Sequence, residues 1–356
     1  MRKDLVWATG VTVGVLIFGA LFTIDLGQRD AVGGDSLEYL KMAAGQTAHA
    51  PYAGRPLAPL LARLVGGGEL GLQIITYLGL GLAYVASLVL ARKAGLSRWA
   101  ASLGLLVVFG STAHIYNYEN PFLTDGLALG FTSLAVLALV VDSRVLFALS
   151  ILVGTAAREA VAGVAAIWLG ARPAWVAFAT GLAALLVAGL LRFLPAGPLV
   201  YAGPISLQQT VLQIGRSWGV AWLLLLLGLF WLSAPVAWRL RVAAAVMTVE
   251  GLVAAFIFRD TARMLLGLFP FMVLAAAQVV DVANRQAKVA VAALLAASLG
   301  GVVVNYPNLI AGEGSALLVG VAAELPVAAV GLAGVLWVAA AYRHRESTVA
   351  TPRPHG

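Results

Sequence analysis

The chain has 356 residues, of which 61% are hydrophobic and only 11% are charged. A water-soluble globular domain does not tolerate so apolar a composition, because it has too few polar side chains to cover its surface. The sequence contains no cysteine, which excludes disulfides and thiolate metal sites. The net charge of +7 comes from lysines and arginines dispersed between apolar segments. We therefore expect membrane lipids around the chain and no nucleic-acid partner.

Apolar runs long enough to cross a bilayer recur along the whole chain. A hydrocarbon core of roughly 30 Å needs about 20 helical residues, and closed barrels are excluded because their strands are short and alternate in polarity. The first run lacks a convincing signal-peptide cleavage site and is expected to stay as a span. The pattern predicts an all-α, polytopic bundle with ten membrane-spanning helices, at residues 5–25, 71–91, 97–116, 122–141, 174–192, 218–237, 242–258, 264–281, 289–304 and 317–341.

Residues 145–170 are apolar but carry Arg158 and Glu159 at their middle. If this segment crossed the membrane, later loops would change sides and their basic pairs would face outward, against the positive-inside rule. We therefore predict a re-entrant hairpin with Arg158 and Glu159 near its tip; a pair of short spans is the alternative. Both termini are then cytoplasmic, residues 1–342 form one transmembrane domain, and residues 343–356 form a disordered tail.

This topology places most acidic side chains on the extracytoplasmic side of a cell membrane. The longest outer segment is the first extracytoplasmic loop, residues 26–70. Its pieces 35–45 and 56–64 read as short amphipathic helices lying at the interface. We therefore expect any functional site on the outer face.

Two candidate groups lie in this first outer loop. Asp35, Glu38 and Tyr39 are spaced i, i+3 and i+4, so one helix face can present two carboxylates and a phenol to a cavity. The alternative is a solvated helix with Asp35 as its N-cap. Arg55 directly precedes Pro56 at the first turn of a helix, where it suits a phosphate. Its alternative is snorkelling to lipid headgroups.

The other candidates lie in or beside apolar runs. Asp125 would be costly facing lipid and should face the bundle interior or water; the alternative is a carboxylate that satisfies a helix dipole. Arg158 and Glu159 are functional candidates as intramembrane ionisable residues, or they pair with each other. Asp260 and Arg263 lie in a short outer loop, where the next span begins, and are candidates for the outer site. The alternative is that they form only an ion pair at a helix start.

In their order and placement, these pieces resemble the GT-C superfamily of polytopic membrane glycosyltransferases, over most of residues 1–280. The chain departs from well-characterised members in having no paired Asp-Glu dipeptide after the first span. The matching features are the acidic motif from Asp35 to Tyr39, Arg55-Pro56-Leu57-x-Pro59, Asn120-Pro121 with Thr124-Asp125, Arg158-Glu159, and Asp260-x-x-Arg263 before a proline-containing helix.

The resemblance implies an enzyme that takes a sugar from a polyprenyl-phosphate carrier and passes it to a glycan, lipid or protein acceptor on the outer side. Transfer to a hydroxyl needs a carboxylate to take the proton and cations to stabilise the departing phosphate. Asp35 is the expected base, Arg158 and Arg263 the phosphate ligands, and Arg55 and Asp125 position donor or acceptor.

Four further residues complete the expected substrate-binding set: Glu38, Tyr39, Glu159 and Asp260. A divalent metal held by carboxylates is compatible with this chemistry, but no distinctive ligand spacing supports one. We therefore expect no cofactor.

Two other classes of membrane protein compete with this interpretation. In a transporter or lipid flippase, Asp125, Arg158 and Glu250 would line a path through the membrane. The bias of ionisable residues to one face, and the lack of a repeat between the two halves, argue against it. A non-catalytic lipid-binding membrane subunit is the third class.

Overall fold

The computed structural model of the chain describes residues 2–25, 35–109, 120–171, 173–194, 197–199, 237–257 and 265–282, with the single residues 111, 114, 117, 118, 210, 222, 224, 225, 228 and 229. Predictions that fall outside these residues are the last two spans, most of the span at 218–237, the tail, and the candidates Asp260 and Arg263.

The described part of the chain is mostly helical, which confirms the predicted all-α fold class for these residues. Two short strands, β1 (His49–Ala50) and β2 (Gly197–Leu199), pair in parallel. The 3₁₀ helices are Tyr52–Gly54, Glu159–Gly170 and Leu266–Leu268. The α-helices are α1 (Arg2–Asp25), α2 (Asp35–Ala43), α3 (Leu57–Leu64), α4 (Gly68–Lys93), α5 (Arg98–Phe109), α6 (Asp125–Val140), α7 (Arg144–Ala157), α8 (Trp175–Leu191), α9 (Ala237–Ile257) and α10 (Phe269–Val282).

Two of the described helices are long and apolar enough to cross a membrane. They are Arg2–Leu21, within α1, and Gly68–Lys93, which is α4, with mean hydropathies of 1.8 and 2.0. Other apolar helices are shorter: α5 has 12 residues and α7 has 14, which gives about 18–21 Å at about 1.5 Å per residue. The ten crossings therefore stay a prediction.

Helices α4 and α6 lie side by side and run in the same direction. A Cβ on Gly126 would lie 2.6 Å from the backbone oxygen of Thr76, and one on Gly130 would lie 2.7 Å from that of Gly79. Small residues at these positions let the two backbones approach closely, as in membrane helix pairs. Because the contacts advance together along both helices, the two helices begin at one end of the bundle and finish at the other.

Basic side chains gather where α4 and α6 finish. Arg92 and Arg98 approach the carboxylate of Asp4 to 3.4 and 3.0 Å, which brings the start of α1 to this end. After α6, Asp142 lies 3.6 Å from Arg239 at the start of α9. We call this the basic end and define it by these five residues. The topology predicted from the sequence places these residues on the cytoplasmic side, and that orientation stays a prediction.

Helices α2 and α3 pack against the opposite end, where α4 and α6 begin; we call it the loop end. Both were predicted from the sequence, at 35–45 and 56–64. They are held by one buried apolar cluster, which consists of Tyr39, Ala43, Ala58, Ala62, Leu72, Ile75, Phe122, Leu123, Leu127 and Ala157. The alternative in which α2 is a solvated polar helix is wrong, because Ser36, Glu38 and Tyr39 are buried.

Helix α7 runs from the basic end to the loop end. The Ser143 hydroxyl caps its start by accepting a hydrogen bond from the Leu146 backbone N–H at 3.3 Å. Its last residue, Ala157, belongs to the apolar cluster of the loop end. Arg158 then takes an extended conformation, with φ −158° and ψ 128°, and the α-helix stops there.

The 3₁₀ helix Glu159–Gly170 returns along the bundle. A Cβ on Gly170, its last residue, would lie within 3.2 Å of the Val242 side chain and 3.8 Å from the Arg239 backbone, at the basic end. Residues 145–170 thus leave and rejoin the same end, with Arg158 and Glu159 at the turn. The turn lies at the loop end, and the re-entrant hairpin stays a prediction beside the alternative of a pair of short spans. The membrane side on which the segment enters stays a prediction.

Candidate functional site

Asp35 begins α2 and is held by a tyrosine from the 3₁₀ turn that follows β1. The Tyr52 hydroxyl donates a hydrogen bond to Asp35 Oδ1 at 2.6 Å. The Tyr52 ring meets Tyr39 edge-on, with ring centres 5.6 Å apart. Burial, together with the neighbouring Asp35 carboxylate, raises the pKa of Tyr52 well above its ordinary value. Tyr52 is therefore a fixed hydrogen-bond donor to Asp35, although the sequence did not single it out as a site residue.

Glu38 was predicted to face the same cavity as Asp35, but it is engaged elsewhere. Its Oε1 accepts a hydrogen bond from Lys41 at 2.7 Å, and its Oε2 accepts one from the His49 backbone N–H at 2.7 Å and lies 3.0 Å from His49 Nδ1. Burial opposes its ionisation, but these interactions outweigh burial and lower its pKa to about 2. Glu38 thus fastens α2 to β1.

Arg55 connects the first loop to the turn after α7. Its Nε and Nη2 donate to the two carboxylate oxygens of Glu159 at 2.6 and 2.5 Å, and its Nη1 donates to the Tyr39 hydroxyl at 2.9 Å. Such a two-pronged, charge-assisted contact is among the stronger polar interactions in proteins. Arg55 is only 8% exposed, so the alternative in which its side chain snorkels to lipid headgroups is wrong. Glu159 pairs with Arg55 and not with the neighbouring Arg158.

Arg158 turns the other way and pairs with Asp125 at the first turn of α6. Arg158 is 5% exposed and Asp125 is 1% exposed, so Asp125 faces the bundle interior, as predicted. The sequence indicated that Arg158 needs an anionic partner. Asp125 supplies that partner, so a lipid phosphate is not required to neutralise Arg158.

A cavity of about 60 Å³ lies between α6, the turn at Arg158, and α9. Among the residues that the structure describes, Asp125, Arg158 and Glu250 are the ionisable side chains that line it. Leu266 and Gly267 also line it, but Arg263 lies outside the described residues, so its predicted place in the cavity is untested. Asp35 does not line the cavity. The sequence analysis named Glu250 only as a residue that would line the path of a transporter or flippase.

Two hydrogen-bonded groups, Asp35 with Tyr52 and Arg55 with Tyr39 and Glu159, meet at the loop end through the edge-on contact of the two tyrosine rings. We call Asp35, Tyr52, Tyr39, Arg55 and Glu159 the loop-end network; they make successive contacts in that order. Glu159, the last member of this network, directly follows the cavity-lining Arg158 in the sequence.

The Asn120-Pro121 motif also meets α2, through a contact that spacing along the chain does not reveal. The Ser36 hydroxyl donates a hydrogen bond to the Asn120 side-chain oxygen at 2.5 Å. His114 is buried beside Tyr84 and Tyr118 and stacks on Phe269, with ring centres 4.9 Å apart. It does not line the cavity.

Within the described ranges, no group of three His, Asp or Glu side chains is arranged to hold a metal ion. Comparison with known protein families, curated proteins and solved structures finds no match for the chain. The function therefore has to be argued from the residues themselves.

Proposed function

We propose that the chain is an integral membrane glycosyltransferase that moves a sugar from a polyprenyl-phosphate carrier to an acceptor on the extracytoplasmic side. The observation that carries this proposal is the meeting of separate sequence motifs at the loop end. Four of the five motifs that resemble GT-C enzymes contain described residues, and side chains from all four gather there: Asp35, Arg55, Asp125 and the pair Arg158-Glu159.

In this proposal Asp35 is the general base. It takes the proton of the acceptor hydroxyl while the acceptor oxygen bonds to the anomeric carbon of the sugar. The bond from that carbon to the phosphate oxygen breaks, and its electrons leave with the polyprenyl phosphate. A carboxylate held in place by a donor such as Tyr52 suits this task, because a base must stay ionised and correctly placed.

Arg158 is the cation proposed to stabilise the departing phosphate, together with Arg263. Because Arg158 already pairs with Asp125, a phosphate oxygen must bind beside that carboxylate or replace it. The second arrangement releases Asp125 toward the ligand, which agrees with a positioning role for this residue. Arg55 is committed to Glu159 and Tyr39 and positions the loop helices.

The proposed orientation follows from charge. The basic end carries the arginines that the positive-inside rule assigns to the cytoplasm, so the loop end faces outward. The proposed enzyme is a multi-pass cell-membrane protein with ten spans and the hairpin at 145–170. Its partners are the polyprenyl-phosphate-linked sugar, membrane lipids, and a glycan, lipid or protein acceptor.

The direct test uses the purified full chain in lipid nanodiscs with a panel of polyprenyl-phosphate monosaccharides and an acceptor extract of the native membrane. Mass spectrometry then measures the release of polyprenyl phosphate and the gain of one sugar by an acceptor. We expect one donor to be consumed well above empty nanodiscs. Failure to consume any donor, with intact protein and a complete acceptor extract, would contradict the proposal.

A transporter or flippase is the second candidate, because Asp125, Arg158 and Glu250 share one cavity within the bundle. Reconstituted liposomes distinguish it from the first. A flippase moves the lipid-linked sugar between leaflets without breaking its glycosyl-phosphate bond, whereas the proposed enzyme cleaves that bond. A non-catalytic subunit would bind the carrier and do neither.

A further inference from the structure

Arg55 lies in the first loop, but its two-pronged contact is with the turn that carries Arg158. Its Nε and Nη2 donate to the two carboxylate oxygens of Glu159 at 2.6 and 2.5 Å, and its Nη1 donates to the Tyr39 hydroxyl at 2.9 Å. Two partners thus hold three nitrogens of one guanidinium, and both Arg55 and Tyr39 are buried. Arg55 therefore fixes the position of the Glu159 carboxylate relative to α2.

The position of Glu159 constrains its neighbour in the sequence. The Arg158 backbone is extended, with φ −158° and ψ 128°, and in extended backbone successive side chains point to opposite sides. The Arg158 N–H donates to the Gly154 carbonyl at 2.9 Å, and the Arg158 carbonyl accepts from the Val161 N–H at 3.0 Å. With its backbone held in this way and the Glu159 side chain fixed, Arg158 points to the opposite side, where it pairs with Asp125.

The charge of Arg55 acts in the same direction as its shape. The Glu159 side chain is partly buried, and a carboxylate withdrawn from water needs a cation or hydrogen-bond donors beside it. If Arg55 were removed, the nearest cation along the chain would be Arg158, the preceding residue. Glu159 would then compete with a phosphate for the Arg158 guanidinium. By pairing with Glu159, Arg55 keeps Arg158 directed to the cavity that it lines.

We propose that Arg55 is a positioning residue for the phosphate site: through Glu159, it directs the Arg158 guanidinium into the cavity beside Asp125. The inference rests on the proposed function, in which Arg158 binds the phosphate of the polyprenyl carrier. Arg55 itself does not contact the phosphate, because Glu159 and Tyr39 occupy its donors. Its effect on the site is large, because misplacing a functional group by about 1 Å can cost about 100-fold in activity.

A double-mutant cycle tests this inference, with binding of radiolabelled decaprenyl phosphate to the purified full chain in nanodiscs, above empty nanodiscs, as the measurement. In the wild type, Arg158→Gln should weaken binding by about tenfold or more, the scale of losing a charge-assisted contact. In an Arg55→Gln background, Arg158 is already misdirected, so the same change should weaken binding by no more than about twofold, the scatter of independent sites. Arg55→Lys keeps the charge but loses the two-pronged contact, so the effect of Arg158→Gln should be intermediate there.

Arg63→Gln is the matched control. Arg63 lies in the same loop, but its side chain is exposed and its Nε donates to the Met42 backbone oxygen at 2.9 Å. Arg158→Gln should therefore keep its full effect on binding in the Arg63→Gln background. The Tm of each variant is measured alongside, because a purely structural role of Arg55 lowers Tm without changing the effect of Arg158→Gln.

Three results would overturn the inference. Equal effects of Arg158→Gln in the wild-type and Arg55→Gln backgrounds would mean that Arg55 only supports the fold, and the proposed function would stand. If Arg55→Gln does not fold, the same equality in the Arg55→Lys background decides the matter. No effect of Arg158→Gln in the wild type would remove Arg158 from the phosphate site. No binding of decaprenyl phosphate by the wild type would contradict the proposed function as well.

Discussion

At the scale of single residues, Asp35 is the side chain on which the proposed chemistry depends. Asp35→Asn keeps the size of the side chain but removes the base. Sugar transfer should therefore fall by about 10²–10⁴-fold, the usual contribution of a general base. The rate is measured on purified protein with a single donor, and Asp142→Asn at the basic end serves as the control. Unchanged turnover in Asp35→Asn would exclude Asp35 as the base and leave Asp125 as the next candidate.

Tyr52 should tune this base, because its hydroxyl donates to Asp35 Oδ1 at 2.6 Å. A hydrogen bond to the charged form of an acid favours that form. In Tyr52→Phe the Asp35 carboxylate should protonate more readily, so the acidic limb of the pH profile of kcat/KM should move to higher pH. A uniform loss of rate at every pH, without a shift of the limb, would mean that Tyr52 only supports the fold.

Glu38 predicts a pH dependence of stability. Its pKa is lowered from an ordinary value of 4.5 to about 2, so its stabilising contribution is complete above pH 4.5 and is lost as the pH falls toward 2. The difference in Tm between the wild type and Glu38→Gln should be largest near neutral pH and shrink across this window. A difference in Tm that does not change with pH would contradict the assignment.

The sequence singled out most residues of the candidate site but not the side chains that they contact. Arg158 and Glu159 are adjacent, and pairing between them was the simple alternative. The extended backbone at Arg158 sends successive side chains to opposite sides, so one binds Asp125 and the other binds Arg55. The contact between Arg55 and Glu159 joins residues 104 positions apart, and a single sequence contains no signal for such a pairing.

At the scale of elements, the approach of α4 and α6 depends on glycine. A Cβ on Gly126 would lie 2.6 Å from the Thr76 backbone oxygen, so Gly126→Ala must separate the helices. Overpacking of this kind costs about 1–3 kcal/mol, and Tm should fall. Gly14→Ala, on α1, is the control, because nothing lies within 4 Å of its added Cβ. Equal Tm values for both variants would contradict the close packing.

Helix α2 was predictable because its polar and apolar residues recur at helical spacing, and α3 was predictable because Pro56 favours a helix start. The 3₁₀ conformation of Glu159–Gly170 was not. After Glu159 that segment contains only apolar residues and glycine, so no periodicity distinguishes one helix type from another. Its conformation therefore depends on packing against its neighbours.

At the scale of the whole molecule, the sequence predicted the separation of charge between the two ends, because lysine and arginine recur after every second apolar run. The described residues bring the start of α1, the end of α4, the turn after α6 and the start of α9 to one basic end. The lengths of the helices could not be predicted in the same way. Apolar runs continue into segments, such as Glu159–Gly170, that are not α-helical.

The central claim is that the loop end faces outward and the basic end faces the cytoplasm. Single cysteines in this cysteine-free chain test it with a membrane-impermeant maleimide. Thr47→Cys and Glu69→Cys, at the loop end, should label in intact cells. Lys93→Cys and Ala174→Cys, on the basic side, should label only after the membrane is permeabilised. Labelling of Lys93→Cys in intact cells would contradict the orientation. Labelling of Ala174→Cys but not of Lys93→Cys in intact cells would contradict the prediction that residues 145–170 enter and leave on the same side of the membrane.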